Sequence, residues 1–143
     1  MILPRGVIVL LTGLLSLTSC FWGDEDEEEN IVGNYWVRRG SGYDNYLFYI
    51  NEQEFGPPLI PAQVVEAGHD ERTIIIKSCS DYYIIPFKKI DYSQVVKGQY
   101  HNVHEEIRNN ILGPFTKAEF HQNLAVLGED SLMSFNQKLA DCQ

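Results

Sequence analysis

The run AQVVEAGHDERTIIIKSCSDYYIIPF, residues 62–87, establishes most of the architecture. Three β-rich segments, Ala62–Ala67, Thr73–Ser78 and Tyr82–Phe87, are joined by short polar spacers. Such spacers favour consecutive antiparallel strands, so the run predicts two hairpins that share their middle strand. Thr73–Lys77 is the most apolar stretch after the N-terminal region, which predicts a central strand covered on both faces of its sheet.

Two further strands are expected upstream of these hairpins. Ile31–Arg39 alternates apolar with polar residues, and Tyr46–Ile50 is rich in aromatic residues. The glycine-bearing stretch Arg39–Gly42 separates the two. The sequence therefore predicts about five strands.

One helix is predicted over residues 102–110. Val103, Ile107 and Ile111 recur every four residues, which places them on one face of a helix. The preceding residues 88–100 show no clear periodicity. They are expected to be irregular.

A second helix is expected to begin after Thr116. Thr116 and Glu119 have the spacing of a capping box, and Gly128 is placed to end the helix. A third, short helix is predicted within residues 131–140. With the strands, this gives an α+β fold: an antiparallel sheet of about five strands built from hairpins, with two or three C-terminal helices on one face.

The first twenty residues have the build of an export signal. Arg5 precedes the apolar run Val7–Leu17, which is well short of the ~20 residues of a spanning helix. Leu17–Cys20 resembles the lipobox of bacterial lipoproteins, in which the cysteine sulfur is acylated and the chain is cut before it. That resemblance implies removal of residues 1–19 and a lipid anchor on Cys20. The alternative is an ordinary secretory signal with a chance cysteine.

Six acidic residues, Asp24–Glu29, follow the predicted anchor. Like charges at this density repel and stay solvated, so residues 20–30 are expected to be a tether and residues 31–143 a single globular domain. The acidic run also resembles the surface-export signals of some Gram-negative lipoproteins. The alternative is that it only extends the chain. The expected location is the bacterial cell envelope, at the outer membrane or the cell surface.

The chain carries an excess of negative charge. It has 11 Lys and Arg against 20 Asp and Glu, for a formal net charge of −9. Nucleic-acid affinity depends largely on basic patches that neutralise phosphates. The composition therefore argues against DNA or RNA as a partner.

Two cysteines remain if Cys20 carries a lipid. Export would place Cys79 and Cys142 in an oxidising compartment, where a pair tends to form a disulfide. We expect this bond to fasten the C-terminal stretch to the middle of the sheet. The alternative is two unpaired thiols.

Five short motifs together resemble a family of small bacterial lipoproteins and secreted domains. They are Gly33–Tyr35, Ile74–Lys77, Tyr82–Ile85, Gly113–Thr116 and Asp130–Leu132. The resemblance covers most of residues 31–135. It implies a fold and a compartment, and the family carries no assigned activity to transfer.

No pattern of catalytic or metal-binding residues is recognisable. His101, His104 and Glu105 come closest to a metal cluster, but zinc needs three or four converging ligands, and their order differs from His-Glu-x-x-His. A solvated helix edge explains them. Ser41 lacks the nucleophile elbow, and Cys79 has a disulfide candidate. We therefore predict no catalytic residue, no metal and no cofactor.

Aromatic residues are concentrated in the first two predicted strands. Alternation along a strand means that some of them must point away from the core. Exposed Tyr and Trp give large contact areas at low entropy cost, which suits a recognition surface. Tyr35, Trp36, Tyr43, Tyr46 and Tyr49 are therefore the candidate binding surface, the alternative being that helices cover that face.

The sequence favours a non-enzymatic, monomeric envelope or surface lipoprotein that binds another protein. A second hypothesis is an inhibitor or immunity lipoprotein that neutralises a toxin or hydrolase. A small hydrolase is a third. The absence of a catalytic motif favours the first two.

Overall fold

The computed structural model describes residues 27–39, 44–51, 54–90, 92, 100–128 and 133–142. The predicted signal sequence, Cys20 and most of the predicted tether lie outside these residues. Ser41 and Tyr43 do as well.

The described residues contain nine strands, one short 3₁₀ helix and two α-helices. The strands are β1 (Glu28–Val32), β2 (Tyr35–Arg39), β3 (Asn45–Asn51), β4 (Glu54–Phe55), β5 (Val64–His69), β6 (Ile74–Ser78), β7 (Tyr82–Ile85), β8 (Leu112–Phe115) and β9 (Gln137–Lys138). The 3₁₀ helix is Phe87–Lys89, and the α-helices are α1 (Tyr100–Asn110) and α2 (Lys117–Val126).

All strand pairs are antiparallel and form two sheets. The first has the order β1-β2-β3-β4, and the second has the order β8-β7-β6-β5-β9. The predicted α+β class is confirmed, as are the two hairpins β5–β6–β7 with β6 in the centre. The sequence pattern predicted one sheet of about five strands. The structure instead separates the upstream strands into a sheet of their own.

The predicted first strand is in fact a hairpin. Instead of one strand over Ile31–Arg39, β1 and β2 pair across a turn in which Gly33 adopts a φ of 54°, a left-handed conformation that suits glycine. The sheet also begins at Glu28, within the stretch expected to be a tether. Arg38 pairs with Glu28 at 3.5 Å and Arg39 with Glu27 at 2.8 Å, so cations across the hairpin offset this part of the acidic run.

The predicted third helix is wrong in the part that the structure describes. Residues 133–142 contain no helix, and β9 pairs with the edge of β5. The backbone N–H groups of Leu139 and Ala140 donate to the Val65 carbonyl at 2.9 and 3.2 Å. Backbone bonding to an open strand edge replaces the helix that the periodicity suggested.

Another strand, β8, lies between the two helices, where no strand was predicted. It pairs with β7 at the opposite edge of the second sheet and contains Pro114. Proline lacks an N–H donor and is tolerated at a sheet edge.

The second sheet has a hydrophobic core on each face. Ile74 and Ile76 lie in a first core with side chains of the first sheet and of α1, whereas Ile75 lies in a second core with α2. All three isoleucines are fully buried. The helices are thus divided between the two cores, while the sequence analysis placed them on one face.

A disulfide joins Cys79 to Cys142, which is the pairing that the sequence analysis expected. Their Cα atoms are 5.5 Å apart, and 63 residues of sequence separate them. Cys79 is in the exposed turn between β6 and β7, so the bond ties the C-terminal segment to the middle of the second sheet.

The capping box predicted at Thr116 is present in full. The Glu119 backbone N–H donates to Thr116 Oγ1 at 3.4 Å, and the Thr116 backbone N–H donates to Glu119 Oε2 at 2.8 Å. The second of these bonds, with the hydroxyl of Thr116, holds the pKa of Glu119 below its ordinary value. The charged carboxylate therefore stabilises the start of α2.

We expect Thr116→Ala to lower the free energy of unfolding by about 1 kcal/mol, because it removes the cap. Glu119→Gln should lose stability at pH 7 relative to the wild type, and this difference should vanish as the pH falls through the depressed pKa of Glu119. Urea unfolding at several pH values measures both. Lys117→Ala, at an exposed neighbour, is the control. A Glu119→Gln difference that grows in acid would contradict the assigned role.

Candidate functional site

The structure divides the aromatic residues that were predicted to share a surface. Tyr35 and Tyr49 are 3% and 7% exposed and belong to the first core. Trp36 and Tyr46 lie on the opposite face of the first sheet, because neighbouring strand residues alternate in direction. Tyr43 lies outside the described residues. The predicted surface is therefore two separate features.

The buried pair is part of a cluster of three tyrosines. Tyr35 Oη and Tyr92 Oη are 2.7 Å apart, within hydrogen-bonding distance. The Tyr49 ring stacks on the Tyr92 ring at 5.7 Å between centroids and meets the Tyr35 ring edge-on at 5.2 Å. Asn34 Nδ2 donates to Tyr49 Oη at 3.3 Å. These contacts fix the three rings where the β1–β2 turn meets the chain after β7.

The hydroxyls of Tyr35 and Tyr92 stay protonated at physiological pH. Burial, and then the hydrogen bond with Tyr92, raises the pKa of Tyr35. Burial raises the pKa of Tyr92 to about 12. These two hydroxyls therefore act as neutral donors and acceptors rather than as a phenolate base.

Two adjoining open cavities, with volumes of about 720 and 320 Å³, border this cluster. We call them together the Phe87 groove, because both are lined by Val32, Phe87 and Lys88. The lining of the groove is predominantly apolar. The larger cavity also contacts residues 69–72, and the smaller one also contacts Gly33, Asn34, Tyr35, Tyr49, Ile90 and Tyr92.

The rim of the groove carries charges of both signs. Lys88 is exposed, and its Nζ lies 5.7 Å from the centroid of the Phe87 ring, a cation–π distance. Glu71 and Arg72 are exposed in the β5–β6 turn. Asp70 Oδ1 accepts from the backbone N–H of Arg72 at 2.7 Å, which fixes that turn.

The turn and the loop after β7 are also joined directly. The Lys88 backbone N–H donates to the Arg72 carbonyl at 3.2 Å, and the Thr73 backbone N–H donates to Asp70 Oδ1 at 2.7 Å. The position of the charged rim relative to the Phe87 ring is thus set by backbone hydrogen bonds.

His104 and Glu105 do not converge. His104 is 4% exposed, and its ring meets the Tyr49 ring edge-on at 6.0 Å, whereas Glu105 is exposed on another side of α1. A Cβ at Gly56 would overlap the His104 ring, so the glycine makes room for it. The His101 side chain lies outside the described part of the chain. Within that part, no group of three or more His, Cys, Asp or Glu side chains could hold a metal ion.

Phe87, Lys88 and Tyr92 are the site residues that sequence reasoning missed. Phe87 is the last residue of the predicted strand Tyr82–Phe87, and Lys88 and Tyr92 lie in the following stretch with no periodicity, where nothing local indicates which residues face a cavity. The one available signal is that an aromatic residue next to a lysine pair ends a predicted strand.

Comparisons of the chain with protein-family models, with curated proteins and with solved structures found no match. Within the residues that the structure describes, neither helix has the length and apolar character needed to cross a membrane.

Proposed function

We propose that this chain is a lipid-anchored protein of the bacterial cell envelope that binds another protein and is not an enzyme. The Phe87 groove is the binding site. The observation that carries the proposal is the apolar, aromatic floor of the groove inside a rim of mixed charge. Protein interfaces have the same plan, with aromatic anchors at the centre and polar groups around them.

The place of the groove in the fold supports this proposal. The chain from Cys20 joins the sheet at Glu28, and β1 then runs to Val32 at the groove. Five strand residues span about 17 Å, so the groove lies at the end of β1 remote from the anchor. The length of β1 therefore separates the groove from the start of the tether.

Substitutions in the groove are expected to weaken partner binding. Phe87→Ala removes the shared aromatic floor and should weaken binding about 10- to 30-fold, the cost of losing one central aromatic anchor. Lys88→Glu reverses one rim charge and should slow association. The measurement is photo-crosslinking in native membranes from a probe at Lys88, followed by affinity determination with the protein that it captures.

Lys117→Glu is the matched control, because it makes the same charge change at an exposed site on α2, and a probe at Lys117 controls for non-specific capture. Unchanged thermal unfolding of Phe87→Ala excludes a folding defect. If both groove variants bind the captured protein as the wild type does, the groove is not the site. Labelling with a palmitate analogue that Cys20→Ala abolishes tests the anchor in the same cells.

A further inference from the structure

The first sheet has an aromatic outer face that the groove does not use. Trp36, Tyr46, Phe48 and Ile50 alternate with residues of the first core, and all four are partly exposed. Trp36 is directly opposite Phe48 in the β2–β3 register. Among the described residues, neither hydrophobic core includes any of these four side chains.

This face lies close to the point where the predicted anchor joins the domain. Trp36 is opposite Asn30, three residues beyond Glu27, which corresponds to about 10 Å along the strand. Glu27 is the seventh residue after Cys20, and a chain of seven residues extends at most about 25 Å. The covalent chain therefore keeps the aromatic outer face near the bilayer to which Cys20 is fixed.

Two acidic side chains lie at this face, and each has a partner. Glu28 pairs with Arg38 at 3.5 Å, and Asp44 Oδ2 accepts a hydrogen bond from the Tyr46 hydroxyl at 3.2 Å. Tyr46 is opposite Arg38 in the register, so an aromatic ring and a guanidinium lie side by side. Trp, Tyr and Arg are side chains that favour the boundary between lipid headgroups and water.

We infer that the aromatic outer face rests on the membrane interface, with Trp36 and Phe48 at its centre. The inference rests on the lipid anchor of the proposed function. Tethering makes the contact effectively intramolecular, so a few aromatic side chains suffice to orient the domain. The occupant of this face is therefore the lipid surface and not a protein partner.

Trp36 itself supplies the reporter. In the full-length acylated protein, Trp22→Phe leaves Trp36 as the single tryptophan. In vesicles of phosphatidylethanolamine and phosphatidylglycerol, its emission should shift to shorter wavelength, and lipids brominated near the headgroup should quench it. The control protein carries Trp36→Phe and Val126→Trp in addition to Trp22→Phe, so its single tryptophan is at position 126. Val126 is 81% exposed on α2, beyond the second sheet, and should stay unquenched.

Each of the other outcomes overturns one defined part of the proposal. If the protein floats with the vesicles but Trp36 stays unquenched, the lipid anchor is supported and the membrane contact of the first sheet is overturned. If Trp36 is already shielded from an aqueous quencher without vesicles, the chain itself or a partner covers the aromatic outer face. The membrane contact is then overturned as well. If Trp36 is still quenched in Cys20→Ala, the membrane contact does not need the lipid, which overturns the inference that tethering makes it possible.

Discussion

Ile75→Ala and Ile76→Ala are each expected to lower the free energy of unfolding by about 2–5 kcal/mol. The two side chains point to opposite faces of β6, and both are fully buried. Ile76 packs in the core shared with the first sheet, and Ile75 packs against α2. Each truncation therefore leaves a cavity in a different core. Denaturant unfolding monitored by circular dichroism measures the two losses.

The comparison between the two variants tests the layered architecture. Val126→Ala, at a position that is 81% exposed, should change the free energy of unfolding by less than about 0.5 kcal/mol. A near-zero effect of Ile75→Ala beside a large effect of Ile76→Ala would mean that one face of the second sheet is open to solvent, contrary to the structure.

Cys142→Ser is expected to lower the free energy of unfolding by about 4 kcal/mol on the chain-entropy model. The loop that the Cys79 disulfide closes contains 63 residues, and its loss frees the unfolded chain of that constraint. The native state should also loosen at β9. Hydrogen exchange should show it first at Leu139 and Ala140, whose N–H groups bond to Val65.

The double variant Cys79→Ser/Cys142→Ser is the control for the thiol that the single variant exposes. It should match Cys142→Ser in stability, because both lack the same bond. Equal masses with and without reductant after thiol alkylation of the wild type would contradict the disulfide itself.

Local patterns predicted the elements that local forces determine. The β5–β6–β7 hairpins follow from three β-rich runs and two short spacers, and α2 begins where the Thr116 capping box places its start. The helix around Val103 and Ile107 follows from their spacing, and both side chains are buried.

Elements that depend on distant backbone partners escaped prediction. β9 is two residues long and exists because β5 offers an open edge, and β8 exists because β7 offers another. Neither edge is visible in the sequences of residues 112–115 or 137–138. The split of one predicted strand at Gly33 was missed because Val32 and Tyr35 keep the apolar pattern across the turn.

The site was predictable only in part. Tyr35 and Tyr49 were recognised as candidates, but they line the groove from within the core rather than forming an exposed patch with Trp36. Phe87 and Tyr92 come to the same place through a loop, and loop geometry depends on contacts such as the bond between Tyr35 and Tyr92.

The outermost strands of both sheets have features that resist self-association. β1 carries Glu28 and Glu29, so two copies meeting along that strand would bring like charges together. β4 and β9 are only two residues long, and β8 contains Pro114. The lipid anchor proposed above would crowd the protein into two dimensions, where neighbours collide often. Because these edge strands are short, acidic or interrupted by proline, such collisions should not lead to cross-β aggregation.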